Sequence, residues 1–158
     1  QSLPVCAQEG IEVYRGTLPG LLEQPRSLRE GSLSLPRALR LLDAYLPLRA
    51  SDCYPVPAAL PGLPLNLPGS RQLRPERARL GVLDGLKLRR VLRGMHQAAR
   101  RGLVCHLWCH PHNFVGDTEH KLEVLEQVLA EGTRLRDSHG LRSLNMGEVA
   151  DLHRGVAV

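Results

Sequence analysis

Aromatic residues are scarce in this chain: one tryptophan, three tyrosines and one phenylalanine, 3% of 158 residues. A core so poor in rings must be filled by leucine, valine and alanine, and the 42% apolar content is ample for that. Long apolar runs are missing too. No uninterrupted stretch approaches the ~18 residues of a membrane helix, so no transmembrane segment is expected. The N-terminus, Gln1-Ser-Leu-Pro-Val-Cys6, has no basic region followed by an apolar stretch and does not read as a signal peptide. It also lacks an initiator methionine, which suits a processed product or an excised piece. The chain shows no internal repeat and is too short for two ordinary domains, so one domain over 1–158 is expected.

A disulfide framework is also absent. Cys6 and Cys53 stand alone in the sequence. Cys105 and Cys109, four apart on a strand, would be roughly 13 Å from each other, too far to bridge. Four reduced, partly buried thiols in a reducing, cytoplasmic compartment are the expectation.

What the chain does have is an alternation of extended and helical patterns, broken by twelve prolines and fifteen glycines. Residues 10–14 read as a short strand ending before Arg15 and Gly16. Residues 34–46 fit a helix capped by Ser34, with Pro36 in its first turn. The proline-rich stretch 53–69 reads as an irregular crossing segment with one short strand at 63–67. Residues 77–101 read as a helix weakened by Gly81, Gly85 and Gly94. A helix from Asp117 or Thr118 to about Asp137 should turn Leu122, Leu125, Val128, Leu129 and Leu135 inward. A last strand at 141–145 and a short helix at 147–153 complete the pattern. Strands alternating with long helices argue for a parallel α/β arrangement.

The richest chemistry lies in Leu103-Val-Cys-His-Leu-Trp-Cys-His-Pro-His-Asn-Phe114. Residues 103–110 read as a central parallel strand, which Pro111 ends because it has no N–H for the ladder. Alternation puts His106, Trp108 and His110 on one face and Cys105, Leu107 and Cys109 on the other, toward the helices. Polarisable side chains at the C-terminal end of a strand are where α/β proteins place chemistry. His106 and Trp108 either fill the interior or line a subsite; His112 and Asn113 either touch a ligand or hydrogen-bond the loop.

The net charge of +5 is unevenly placed. From Arg71 to Arg101 stand ten Lys or Arg against Glu76 and Asp84. Leu88, Val91, Leu92 and Met95 recur at helical spacing and leave the cations on the other faces. Such a face suits phosphates or an anionic membrane, or is simply solvated. No aromatics are interleaved for base stacking.

These residues carry a family resemblance. Gly102 through Phe114, a capped helix and then Leu141-Arg-Ser-Leu-Asn-Met-Gly-Glu148 resemble the C-terminal portion of the polysaccharide deacetylase family of carbohydrate esterases. Glu9-Gly-Ile-Glu-Val-Tyr-Arg-Gly16 resembles that family's strand ending in arginine, and Leu65-Asn-Leu-Pro-Gly-Ser-Arg71 resembles one of its branches. The resemblance implies part of an irregular (β/α) barrel, parallel strands with flanking helices. It also implies metal-dependent hydrolysis, commonly with zinc, of N- or O-acetyl groups on a glycan. Acetylated glycans, sugar nucleotides or lipid-linked sugars are the implied substrates.

In that family an early aspartate is the base, and a second aspartate with two histidines of a His-x-x-x-His pattern holds the metal. A later arginine orients the base and a histidine ending a late strand is the general acid. The carry-over assigns Arg15 to the arginine and His110 to the acid, with Trp108, His106, His112 and Asn113 as substrate-binding residues. A guanidinium can hold a carboxylate bidentately, and an imidazole can hand a proton to a leaving amine or alcohol near neutral pH. No Asp-Asp pair and no His-x-x-x-His precede Arg15. The chain therefore matches the C-terminal half of such a barrel, lacking the N-terminal metal-binding half and carrying no metal set of its own. Glu12 and Asp117 are the few carboxylates near the matched residues.

A half barrel would expose strand edges and call for the missing half or self-association. Two other classes stand beside this one. A small zinc-binding module would use Cys105, His106, Cys109, His110 and His112, although alternation sends its cysteines and histidines to opposite faces. A noncatalytic basic scaffold would bind acidic glycans or nucleic acid.

Overall fold

Proline and glycine decide how the extended backbone is cut. The computed structural model describes residues 2–16, 53–73 and 81–155. The helix expected over 34–46 and the first residues of the basic helix, 77–80, lie outside the described residues. In chain order the elements are α1 (Leu3–Gln8), β1 (Val13–Tyr14), β2 (Leu65–Asn66), β3 (Arg71–Gln72), α2 (Gly81–Arg101), β4 (Leu107–Trp108), a 3-10 turn (Pro111–Phe114), α3 (Thr118–His139) and α4 (Met146–His153).

One extended run, residues 65–73, is shared by both ladders. Its first part, β2, pairs in parallel with β1, Val13 opposite Leu65 and Tyr14 opposite Asn66. Its second part, β3, pairs in parallel with β4, Arg71 opposite Leu107 and Gln72 opposite Trp108. Pro68 and Gly69 lie between, where a missing N–H and a missing side chain both weaken pairing. The hydrogen bonds run beyond the assigned strands. Leu67 donates its N–H to Tyr14 O at 2.9 Å, Ser70 to His106 O at 2.9 Å and Leu73 to Trp108 O at 2.7 Å. Among the described residues these ladders do not close into a barrel.

Three expectations need correction. The strand expected over 103–110 shrinks to Leu107–Trp108, and β4 pairs with β3 alone among the described residues. Upstream of it Val104 makes a separate antiparallel bridge to Tyr54 instead. No strand forms at 141–145, because caps consume that backbone: Leu141 donates to Leu135 O, and Asn145 exchanges hydrogen bonds with Glu148 to start α4. On α3, Leu122 and Leu129 face solvent at 49% and 62% exposure, so they are not core residues. The buried stripe is Val124, Val128, Glu131 and Leu135, spaced four, three and four.

Val128 and Leu135 of that stripe cluster with Val91 and Met95 of α2 and Leu73 beyond β3, with Leu88, Leu92, Cys105, Leu107 and Phe114 packed around them. Cys105 and Leu107 thus face the helices, as strand alternation requires. Glu131, 4% exposed, is reached across the helix pair by His96 Nε2 at 2.7 Å and along its own helix by Arg134. A second cluster sets Ala150, Met146 and Val149 of α4 against Leu65, Leu67 and Val13 under the first ladder. Exposed Arg89, Arg93, Arg100 and Arg101 lie on the outer side of α2. No described helix is long and apolar enough to cross a membrane.

The packing separates two leucines of one helix. Leu135, 2% exposed, should cost ~2–5 kcal/mol when cut to alanine. Leu129→Ala should stay within about 0.5 kcal/mol of the parent. Urea unfolding of both variants checks the contrast; equal losses would contradict this placement of α3.

Candidate functional site

The parallel ladders deliver side chains to one end. Arg15 directly follows β1, and His110 follows β4 after one intervening residue. Trp108 stands between them. The Arg15 guanidinium carbon lies 3.9 Å from the centre of the Trp108 ring, a cation–π contact. On its edge the same indole meets His110 at 5.2 Å between ring centres and 84° between planes. His110 then stacks on His112 at 5.0 Å and 14°. Trp108 and His110 share a face because they are two apart on extended backbone, whereas His112 joins them through the 3-10 turn that Pro111 begins. The order is cation, indole, imidazole, imidazole.

Neighbouring polar groups hold this array. Gly16 donates its N–H to Asn66 Oδ1 at 2.9 Å, which ties the residue after Arg15 to β2. Asn113 is buried at 7% exposure; its Oδ1 accepts from His110 N–H at 3.0 Å and from Gln72 Nε2 at 3.3 Å. Its own N–H donates to His110 O at 2.9 Å. Asn113 therefore pins the loop. The close approach of Arg15 to Trp108 needs Gly69: a Cβ there would stand 2.7 Å from Trp108 Nε1 and 3.5 Å from Arg15 Cδ.

His106 has a different part. Its Nδ1 lies 3.1 Å from both the Leu67 and Pro68 carbonyls, so that nitrogen carries the proton and donates inward. Pro68 O also accepts from the buried Tyr54 hydroxyl at 2.5 Å. Burial, helped by the Cys105 and Cys53 thiols nearby, holds the Tyr54 phenol well above the usual tyrosine range. His106 and Tyr54 thus secure the backbone at the cut in the 65–73 run.

The remaining candidates do not join the array as ligands. Cys105 turns to Cys53, and Cys109 is exposed rather than packed, since β4 ends at Trp108. Glu12 precedes β1, at the other end of the ladder from Arg15, and pairs with Arg154 at 2.5 Å. Asp117 is the exposed residue before α3, with a left-handed φ of 57°. Among the described residues no three His, Cys, Asp or Glu side chains converge as a metal set. His106 is committed to carbonyls and the two cysteines diverge, so this segment does not fit a bound zinc ion. Its open chemistry is that of exposed Arg15, His110 and His112: several N–H donors on a rigid aromatic base, suited to hydroxyl, amide or carboxylate oxygens.

Gly69, Asn66, Gln72 and Tyr54 were not legible as site residues. The Pro68-Gly69 pair after an apolar run was the one available signal of a break.

No protein-family model matches the chain, and neither a curated protein nor a solved structure matches it.

Trp108 is the one tryptophan, so its emission reports the array directly. Gly69→Ala should push the indole off Arg15 and shift that emission, and Arg15→Ala should shift it without the steric cause. An unchanged spectrum in both would remove the contact. Tyr54 generates a pH prediction. Its folded phenol resists ionisation while the unfolded one ionises near 10.0, so stability should fall as pH climbs past that value. Tyr54→Phe should flatten part of this alkaline slope in urea titrations; an unaltered slope would refute the assignment.

Proposed function

We propose that this chain supplies the proton-donating and substrate-holding side of a polysaccharide deacetylase-like cleft, within part of an irregular (β/α) barrel. The observation that carries this reading is the Arg15–Trp108–His110–His112 array at the C-terminal ends of parallel ladders. In it His110 gives a proton to the leaving amine or alcohol of an acetylated sugar. Arg15, its guanidinium laid over the Trp108 ring, orients a carboxylate through its N–H edge. His112 stacks on His110 and fixes its ring plane. The described residues offer no ligand set for the divalent metal, commonly zinc, that such hydrolysis uses to polarise the carbonyl. Metal ligands and a carboxylate base come from outside them. A reducing, cytoplasmic setting goes with this reading, since all four cysteines are free thiols.

A second reading is a noncatalytic scaffold for acidic glycans or nucleic acid. It is favoured by the solvent-facing Arg89, Arg93, Arg100 and Arg101 of α2. Steep salt dependence of binding, unaffected by His110→Ala, is its signature.

The test titrates the purified 158-residue chain with an N-acetylated chito-oligosaccharide while following Trp108 emission. Saturable binding, weakened in Arg15→Ala and His110→Ala, is expected. With zinc added, acetate release should stay near the uncatalysed rate, because groups that act as a unit lose most of their effect when some are missing. Absence of binding would overturn the glycan reading. Fast acetate release abolished by His110→Ala would overturn the claim that the chain is incomplete as a catalyst.

A further inference from the structure

Two cysteines far apart in sequence are cross-strand neighbours. Tyr54 and Val104 exchange both backbone hydrogen bonds, N–H to O at 3.2 Å one way and 2.7 Å the other. In an antiparallel pair the next residues outward, Cys53 and Cys105, then face each other without hydrogen bonds. Such positions bring Cα atoms to ~4.5 Å, inside the ~4.4–6.8 Å window of a disulfide. Further contacts agree. The Cys53 thiol donates to Gly94 O at 3.2 Å, and the Cys105 thiol hydrogen-bonds to that of Cys53. A Cβ on Gly94 would stand 3.6 Å from the Cys105 sulfur and 3.7 Å from the Cys53 sulfur, ordinary contact distances that place α2 directly over both.

We propose that Cys53 and Cys105 form a reversible dithiol–disulfide site, closed by a low-molecular-weight disulfide such as oxidised glutathione. A Cys53 thiolate attacks the reagent's S–S bond, which breaks and releases one glutathione thiolate. The Cys105 thiolate then attacks the Cys53 sulfur of the mixed disulfide and expels the second. The protein loses two electrons to the reagent, and its two thiol protons end on the two glutathiones released. The hydrogen bond to Cys53, and then burial, push the Cys105 thiol up. The closed bond would join the proline-rich segment to the backbone that continues into His106 and Trp108. Cys6 and Cys109 take no part in it.

The test exposes the native chain to oxidised glutathione, quenches with acid, alkylates in denaturant and maps the peptides by mass. The expected result is one cross-linked peptide joining Cys53 to Cys105, with Cys6 and Cys109 still alkylated. It should revert with dithiothreitol and give way to mixed pairings when exchange is run in urea. Glutathione adducts with Cys53 and Cys105 left as thiols would overturn the proposal. So would a different pairing in the native chain, or the same mixture with and without urea.

Discussion

Everything at the candidate site depends on the close approach of three backbones at Gly69. β1 and β4 each run beside one part of the 65–73 segment, and Arg15 and Trp108 leave those strands on either side of its break. With no side chain at Gly69, the guanidinium settles on the indole at 3.9 Å. A cation on an aromatic face contributes only ~0.5–1 kcal/mol at an exposed site. Its importance is geometric, because it fixes the indole against which His110 stands.

Support for that arrangement is polar where the core is thin. Tyr54 and His106 both donate to the Pro68 carbonyl, and Asn113 binds the His110 and Gln72 groups together. Buried hydrogen bonds of this kind are costly to leave unmade, so each partner constrains the others. The apolar clusters sit to either side: α2 and α3 over the second ladder, and α4 under the first. The array therefore rests on two apolar clusters joined by a short Pro68-Gly69 sequence whose carbonyl at Pro68 is held by hydrogen bonds.

The same local logic explains the buried charges. Glu131 is tolerated inside the helix pair because His96 and Arg134 reach it. Lys121 lies buried because its ammonium donates to Val115 O at 2.9 Å, which also holds the loop after the 3-10 turn. The acidic and basic groups near the fold's centre are thus positional devices, while Arg89, Arg93, Arg100 and Arg101 of α2 remain on the outside.

Much of the local structure was legible in the sequence. Helical spacing marked Val91 and Met95 as inward, a capping residue marked the start of α3, and strand alternation separated Cys105 and Leu107 from His106, Trp108 and His110. Those are short-range consequences of backbone period and side-chain chemistry. What only tertiary structure decided was pairing. No local pattern says that Val104 turns away to Tyr54 and leaves β4 two residues long, nor that α3 buries Val124 and Glu131 while exposing Leu122 and Leu129. The contact of Arg15 with Trp108 and the meeting of Cys53 with Cys105 join residues far apart in the chain. Their neighbours are chosen by strand register and helix packing, which depend on every segment at once.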